Sequence, residues 1–220
     1  MKAAVIGATG ATGRHIVEQL VARDIPVRAI VRDRARAQAI LPAAAELVVA
    51  DVLQPKTLAE AIADCTVVLC ATGAAPSLNP LGPYQVDYVG NKHLVDAATQ
   101  AGIQHMVLVS SLCTSKLFHP LNLFWLILVW KRQAEQYLQN SGLTYTIVRP
   151  GGLKNTEDQF PIEMAKADTL FEGSIPRTQV AQVCVEALFD PHARNTIIEI
   201  VARPAGTQRS FADLFATVAP

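Results

Sequence analysis

The first thirteen residues constrain the fold of this chain more than any other stretch. Ala3, Ala4, Val5 and Ile6 form an apolar run too short for a helix and suited to a buried strand. Gly7, Gly10 and Gly13 follow at three-residue spacing, and a helical stripe of Ile16, Val17, Leu20 and Val21 begins beyond Thr12. A strand, a glycine turn and a helix in that order open a dinucleotide-binding fold. One glycine lets the chain turn off the strand, one lets the backbone approach a pyrophosphate, and one lets the helix pack on the strand. The start of the helix then offers N–H groups and a positive dipole end to phosphates. The spacing departs from Gly-x-Gly-x-x-Gly, so the motif takes its weight from its place directly after a strand.

The rest of the chain repeats that alternation. Apolar runs predict further strands at residues 27–31, 46–50, 66–70, 105–109, 143–148 and 195–201. Helical patterns cover 12–23, 57–63, 84–101, 180–189 and 210–217. Strands alternating with helices predict an α/β fold of Rossmann type, a doubly wound and mostly parallel sheet with helices on both faces. The length fits one NAD(P)-binding domain over residues 1–220, with substrate-side elements at about 111–130 and 151–177 inserted in it. Residues 76–83 read as a Pro-rich irregular stretch, and residues 154–173 as a polar, irregular flap.

In such sheets ligands bind at the carboxyl ends of the strands, which directs attention to particular residues. Arg32 follows the second strand and suits a 2′-phosphate with its planar fork, which favours NADP(H) over NAD(H). Asp33 reads either as a ribose acid or as a helix N-cap. Arg28 is expected on an exposed strand face. Asp51 and Val52 follow the third strand, and Asp51 reads equally as an adenine acceptor or a cap. Ala71, Thr72, Gly73, Ala74 and Ala75 supply small residues where a backbone must run close to a cofactor. Gly90, inside a helix, implies close packing or a nearby ligand. Ser110 and Ser111 end the fifth strand, and Pro150 and Gly151 break the sixth at the same edge.

Other chemistry finds little support. Nineteen basic residues balance nineteen acidic ones without a charge run, so a nucleic-acid partner is not expected. Cys65, Cys70 and Cys184 lie in apolar surroundings and Cys113 completes no Cys-x-x-Cys pair, which suits reduced thiols in a cytoplasmic-type compartment. The five histidines, His15, His93, His105, His119 and His192, show no metal-ligand spacing. His119 lies nearest the expected pocket and otherwise reads as a loop residue. No Gly-x-Ser-x-Gly elbow supports a serine hydrolase. No signal or transit peptide is evident, and no apolar run reaches the ~18–20 residues of a membrane span.

Residues 117–130 stand apart. Leu121, Leu123, Phe124, Trp125, Leu126, Ile127, Leu128, Val129 and Trp130 are nearly continuous, and a helix apolar all round must be buried or meet an apolar surface. A core helix, a pocket wall, a dimer or partner surface and a membrane-surface patch all fit that pattern.

Gly7-Ala-Thr-Gly-Ala-Thr-Gly13, Val31-Arg-Asp33, Val86-Asp-Tyr-Val-Gly90, Val109-Ser-Ser111, Lys131 with Ala134-Glu135, and Ser141-Gly-Leu-Thr-Tyr-Thr-Ile-Val-Arg-Pro-Gly-Gly152 together resemble the atypical short-chain dehydrogenase/reductases. The branch is that of NmrA-like and flavin (biliverdin-IXβ) reductase-like proteins, nearest its cyanobacterial and chloroplast members, and the likeness covers essentially the whole chain. It implies NADP(H) held by Gly7, Thr9, Gly10, Ala11, Thr12 and Gly13, with Arg32 on the 2′-phosphate. Asp51, Val52, Ala71 and Gly73 would lie near the adenosine. Lys131 resembles the lysine of the family's Tyr-x-x-x-Lys pair, which holds the nicotinamide ribose, but Ile127 stands where the tyrosine would be. The resemblance thus implies an NADPH-dependent reductase of a planar, apolar, conjugated acceptor, with Ser111 orienting the acceptor and Phe118, Phe124, Trp125 and Trp130 as walls. The loss of the tyrosine equally suits a non-catalytic NADP(H)-binding sensor or assembly factor that uses 117–130 as a partner or membrane face. The setting implied is cytoplasmic or like the plastid stroma, with monomer and dimer both open.

Overall fold

The computed structural model describes residues 1–74 and 79–219. In chain order these form β1 (Ala3–Ile6), α1 (Gly13–Val21), β2 (Val27–Val31), α2 (Arg34–Ile40), β3 (Glu46–Val49), α3 (Pro55–Ile62) and β4 (Val67–Cys70). A π-helical segment (Tyr84–Gly90) runs into α4 (Asn91–Gln100), followed by β5 (His105–Val109), α5 (Ile127–Gln139), β6 (Tyr145–Pro150) and β7 (Gly152–Lys154). The chain continues through β8 (Ile162–Lys166), β9 (Ser174–Pro176), α6 (Arg177–Glu186), β10 (Thr196–Ala202) and α7 (Phe211–Ala216).

Eight strands form one sheet in the order β3-β2-β1-β4-β5-β6-β10-β8. Every neighbour pair is parallel except β10 with β8. This is the doubly wound arrangement expected from the sequence. Alternate residues of a strand point to opposite faces, so β1 feeds two cores. Ala3 and Val5 pack with Ile16, Val17 and Leu20 of α1, Val180 and Cys184 of α6 and Phe215 of α7. Ala4 and Ile6 pack on the other face with Leu58 and Ile62 of α3, Leu94 and Val95 of α4 and Leu138 of α5. Buried on both faces, the central strands read as unbroken apolar runs.

Four local expectations are corrected. Residues 154–173 are not irregular throughout, because β8 lies in them and pairs antiparallel along β10. Residues 84–101 are not one α-helix. Gly90 sits where the π-helical segment passes into α4, and a Cβ there would stand 2.6 Å from Cγ2 of Val52, so close packing explains the glycine. Arg28 is buried, not exposed. Its guanidinium donates to the Ala61 carbonyl and pairs with Asp64 and Glu46, to which Lys2 also binds. The fourth correction concerns residues 117–126, which form no α-helix. Pro120–Leu123 make a single 3₁₀ turn, Trp125 and Leu126 both take left-handed φ (56° and 58°), and α5 starts only at Ile127. Asn122 explains the departure. Its buried side chain donates to the carbonyls of Lys116 and Leu117 and accepts from the Leu128 N–H, which caps α5 from outside the helix. The small-residue loop and the Pro-rich stretch run partly outside the described residues, at 75–78.

His105, buried on β5, links the sheet to pH. Thr146 donates its hydroxyl to the Ala193 carbonyl at 2.6 Å, so at 2.9 Å it accepts from His105 Nε2. Burial, with a smaller contribution from Arg194, pushes the His105 pKa down to about 4. A depressed histidine costs stability as pH falls, because the unfolded chain takes up the proton first. Stability should therefore drop between about pH 6.5 and 4, by up to about 3 kcal/mol from this residue. Thermal melts across that range should show the slope, and His105→Gln should flatten it.

Candidate functional site

The carboxyl ends of β1, β2, β4, β5 and β6 open on one edge of the sheet, and the sequence-expected residues gather there. Gly7 turns the chain off β1 at φ 77°. A Cβ on it would stand 2.8 Å from the Ala71 carbonyl oxygen, and one on Gly13 would stand 2.1 Å from the Gly7 carbonyl oxygen. Only glycine lets the turn close this tightly against α1 and the end of β4. Gly10 N–H closes the turn onto Gly7 at 2.9 Å. The N–H groups of Ala11 and Thr12 have no acceptor among the described residues, and the Thr12 side chain does not cap α1. A glycine cradle with free amides at a helix N-terminus fits a pyrophosphate.

Arg32 is exposed just after β2 and has no ion pair among the described residues. Asp33 is occupied. Its Oδ1 accepts from the Arg36 N–H at 3.0 Å and caps α2, the second of the two readings of that residue. Asp51 accepts from the Leu53 N–H at 2.9 Å in a tight turn before α3, whose N-cap is Gln54. Val52 packs under Gly90. At the end of β4, Thr72 meets the Cys70 thiol at 3.1 Å and Cys70 reaches Asn91 at 3.2 Å.

Lys131 forms the electrostatic centre of this edge. Its ammonium lies 2.8 Å from Asp87 Oδ1. The other oxygen of Asp87 accepts from the Ala74 N–H at 3.0 Å, and a Cβ on Gly73 would fall within 3.6 Å of Asp87 and 3.9 Å of Lys131. Asp87 is fully buried and so ties α5 to the loop after β4. Burial works against the Lys131 charge, but the Asp87 carboxylate outweighs it and the pKa ends above the usual lysine value. Asp87 had no assigned role in the sequence. An acidic residue facing inward on a helix beside a small-residue loop was its only signal.

The two serines separate. Ser110 is buried and donates to Glu135 at 2.5 Å. Ser111 is half-buried and its side chain has no hydrogen bond with a described residue, which leaves it the available hydroxyl. Behind Ser110 lies a buried ionic network that the sequence did not reveal. Arg149 holds both Glu135 oxygens at 3.0 and 2.7 Å and reaches Asp168 at 2.9 Å and Glu199 at 3.3 Å. Glu199 also accepts from the N–H groups of Asp168, Thr169 and Leu170. The network fixes β6 where it delivers Pro150 and Gly151 to the edge. Gly151 in turn passes close to Gly173, where a Cβ would meet the carbonyl at 2.7 Å.

Around the start of α5, Pro80, Leu81, Tyr84, Trp125, Leu126 and Trp130 line an open groove of about 420 Å³, and Lys131 is not among its lining residues. Trp130 stacks edge-on to Tyr84 at 4.9 Å and donates its indole N–H to the Trp125 carbonyl at 3.1 Å. Of the four walls expected from the sequence, Trp125 and Trp130 line this groove. Phe118 and Phe124 lie outside the groove, exposed.

Comparison with known proteins agrees with this geometry. A family model described as NAD(P)H-binding matches residues 7–191. An uncharacterized chloroplastic protein of Arabidopsis thaliana is 45% identical over 99% of this chain and 82% of its own length. The chloroplastic protein TIC 62 of the same plant is 36% identical over 90% of this chain, which spans only 35% of that protein. Sanguinarine reductase of Eschscholzia californica is 32% identical over 96% of this chain and 94% of its own. Among solved structures, a putative NAD-dependent epimerase/dehydratase from Bacillus halodurans superposes with a TM-score of 0.88 at 26% identity, covering 99% of this chain and all of that one. The chain belongs to the NAD(P)H-binding family, within the atypical short-chain dehydrogenase/reductases of the NmrA-like and flavin reductase-like branch.

Proposed function

We propose that the chain is an NADPH-dependent reductase of a conjugated, apolar acceptor of the flavin, quinone or tetrapyrrole class. One observation carries the reading: Lys131 is neutralised by Asp87 while Ile127 stands at the phenol position, and an aromatic groove opens at the start of the same helix. A lysine so paired has little charge left to acidify a phenol. The amides of Ala11 and Thr12, with Gly7, Thr9, Gly10 and Gly13, would hold the pyrophosphate, and Arg32 the 2′-phosphate. Asp51, Val52, Ala71, Thr72 and Gly73 would border the adenosine, with Ser110, Pro150 and Gly151 backing the nicotinamide end. Lys131 would hold the nicotinamide ribose. The bound dinucleotide supplies a hydride. Reducing a simple ketone also demands a proton donor for the developing alkoxide, whereas a conjugated acceptor spreads the charge and takes its proton from water. Tyr84, Trp125 and Trp130 offer flat walls to such an acceptor, Ser111 a hydroxyl to orient it, and positioning supplies the rate. A relative of nearly full length that is named a reductase supports this chemistry, and relatives named chloroplastic support a stroma-like setting.

Arg32→Ala should weaken NADPH binding by about tenfold or more and leave NADH unchanged, as for the loss of a charge-assisted fork. Calorimetric titration of both cofactors checks this. Steady-state NADPH oxidation against free flavins, quinones and linear tetrapyrroles tests the reading itself. Saturable turnover on one class supports it. Tight NADPH binding without turnover on any acceptor overturns it and favours the second reading, a non-catalytic NADP(H)-binding factor, to which the exposed 117–126 loop lends support.

A further inference from the structure

We propose that the 117–126 loop docks this protein on an anionic lipid bilayer. The inference goes beyond the reductase reading and does not depend on it. Phe118 is 97% exposed, Leu123 85% and Phe124 62%, and Trp125 and Leu126 are also open. These are large, exposed apolar side chains on the segment before α5, which the buried Asn122 side chain shapes. Exposed apolar groups of this size crowded into one short segment mark an interaction surface.

Charge selects the occupant. From Ala97 to Ala134 the chain has no aspartate or glutamate, and its charged residues there are Lys116, Lys131 and Arg132. Lys131 is paired inside with Asp87. Lys116 and Arg132 are exposed and flank the loop. The Lys116 ammonium lies 3.5 Å over the Phe171 ring, and Arg132 reaches the Ser115 carbonyl at 3.5 Å. Aromatic tips with cations at their base match the boundary between acyl chains and anionic headgroups. A second copy of the chain fits less well, because its own patch would bring the same positive charges to the contact. Trp125 and Leu126 belong both to the loop and to the groove. Docking would therefore open the groove at the bilayer surface, within reach of a lipophilic molecule.

Co-sedimentation with vesicles of phosphatidylcholine, with and without phosphatidylglycerol, tests the proposal, with tryptophan emission from Trp125 and Trp130 as a second readout. Binding should require phosphatidylglycerol, weaken with salt and shift the emission to the blue. Phe118→Asp with Phe124→Asp should lower partitioning by about tenfold or more. Lys116→Glu and Arg132→Glu should each lower it by about fivefold. NADPH affinity of the double aspartate variant should match the wild type, which separates this outcome from failure of the cofactor site. Absence of binding to the anionic vesicles, or equal binding by the double variant, overturns the proposal. So does a dimer in light scattering that the double variant dissolves while the wild type ignores vesicles.

Discussion

Gly13→Ala should abolish NADP(H) binding and destabilise the fold by about 3 kcal/mol. A Cβ at this position would lie 2.1 Å from the Gly7 carbonyl oxygen and 2.8 Å from its carbon. Both atoms are backbone, in a turn closed by the Gly10–Gly7 hydrogen bond, so no side chain can swing aside. The collision must lift α1 from β1 or open the turn. Lifting α1 exposes Ile16, Val17 and Leu20, all fully buried. Opening the turn disperses the Ala11 and Thr12 amides proposed to hold the phosphates. Chemical denaturation and calorimetric titration with NADPH read the two consequences separately. Gly10→Ala is the internal comparison: its Cβ would come no nearer than 3.1 Å to the same oxygen, so it should lose less stability.

Arg149→Met should cost about 3–5 kcal/mol, the usual loss when a buried charge is stranded. Arg149, Glu135 and Glu199 are all nearly inaccessible. The two carboxylates do not suffer equally. Glu199 keeps three backbone N–H donors from Asp168, Thr169 and Leu170. Glu135 keeps only the hydroxyls of Ser110 and Thr114. Glu135 is therefore the carboxylate that the variant strands. Urea unfolding of the variant checks the loss. Adding Glu135→Gln should restore part of the loss at neutral pH, a coupling that independent sites would not show.

The sheet was legible because each signal in it is local. An apolar run of four or five residues names a strand, and the glycines that follow β1 have one structural use. Asp33 and Asp51 were legible only as acceptors, since the donor each one meets depends on where the next turn lies. The ionic network around Arg149 was hidden for a different reason. Glu135, Arg149 and Glu199 are 14 and 50 residues apart, and they meet only because α5 packs on β6 and β6 pairs with β10. Arg28 misled for the same reason, since its partners Asp64 and Glu46 come from other elements. The 117–130 stretch misled through composition. Its residues suit a buried helix, but the polar side chain of Asn122 takes over the backbone donors and acceptors around it and turns the apolar residues outward.

The most direct test of a reductase that works without the family phenol is single-turnover oxidation of bound NADPH, followed against pH with a quinone and with a simple ketone. Lys131 keeps its charge well above neutral pH through Asp87, and no phenol stands at position 127. The rate with the quinone should therefore stay flat between about pH 6 and 9, and the ketone should remain unreduced. Comparable reduction of the ketone, with a titrating limb that Tyr84→Phe removes, would place a phenolic acid in the groove and contradict the account.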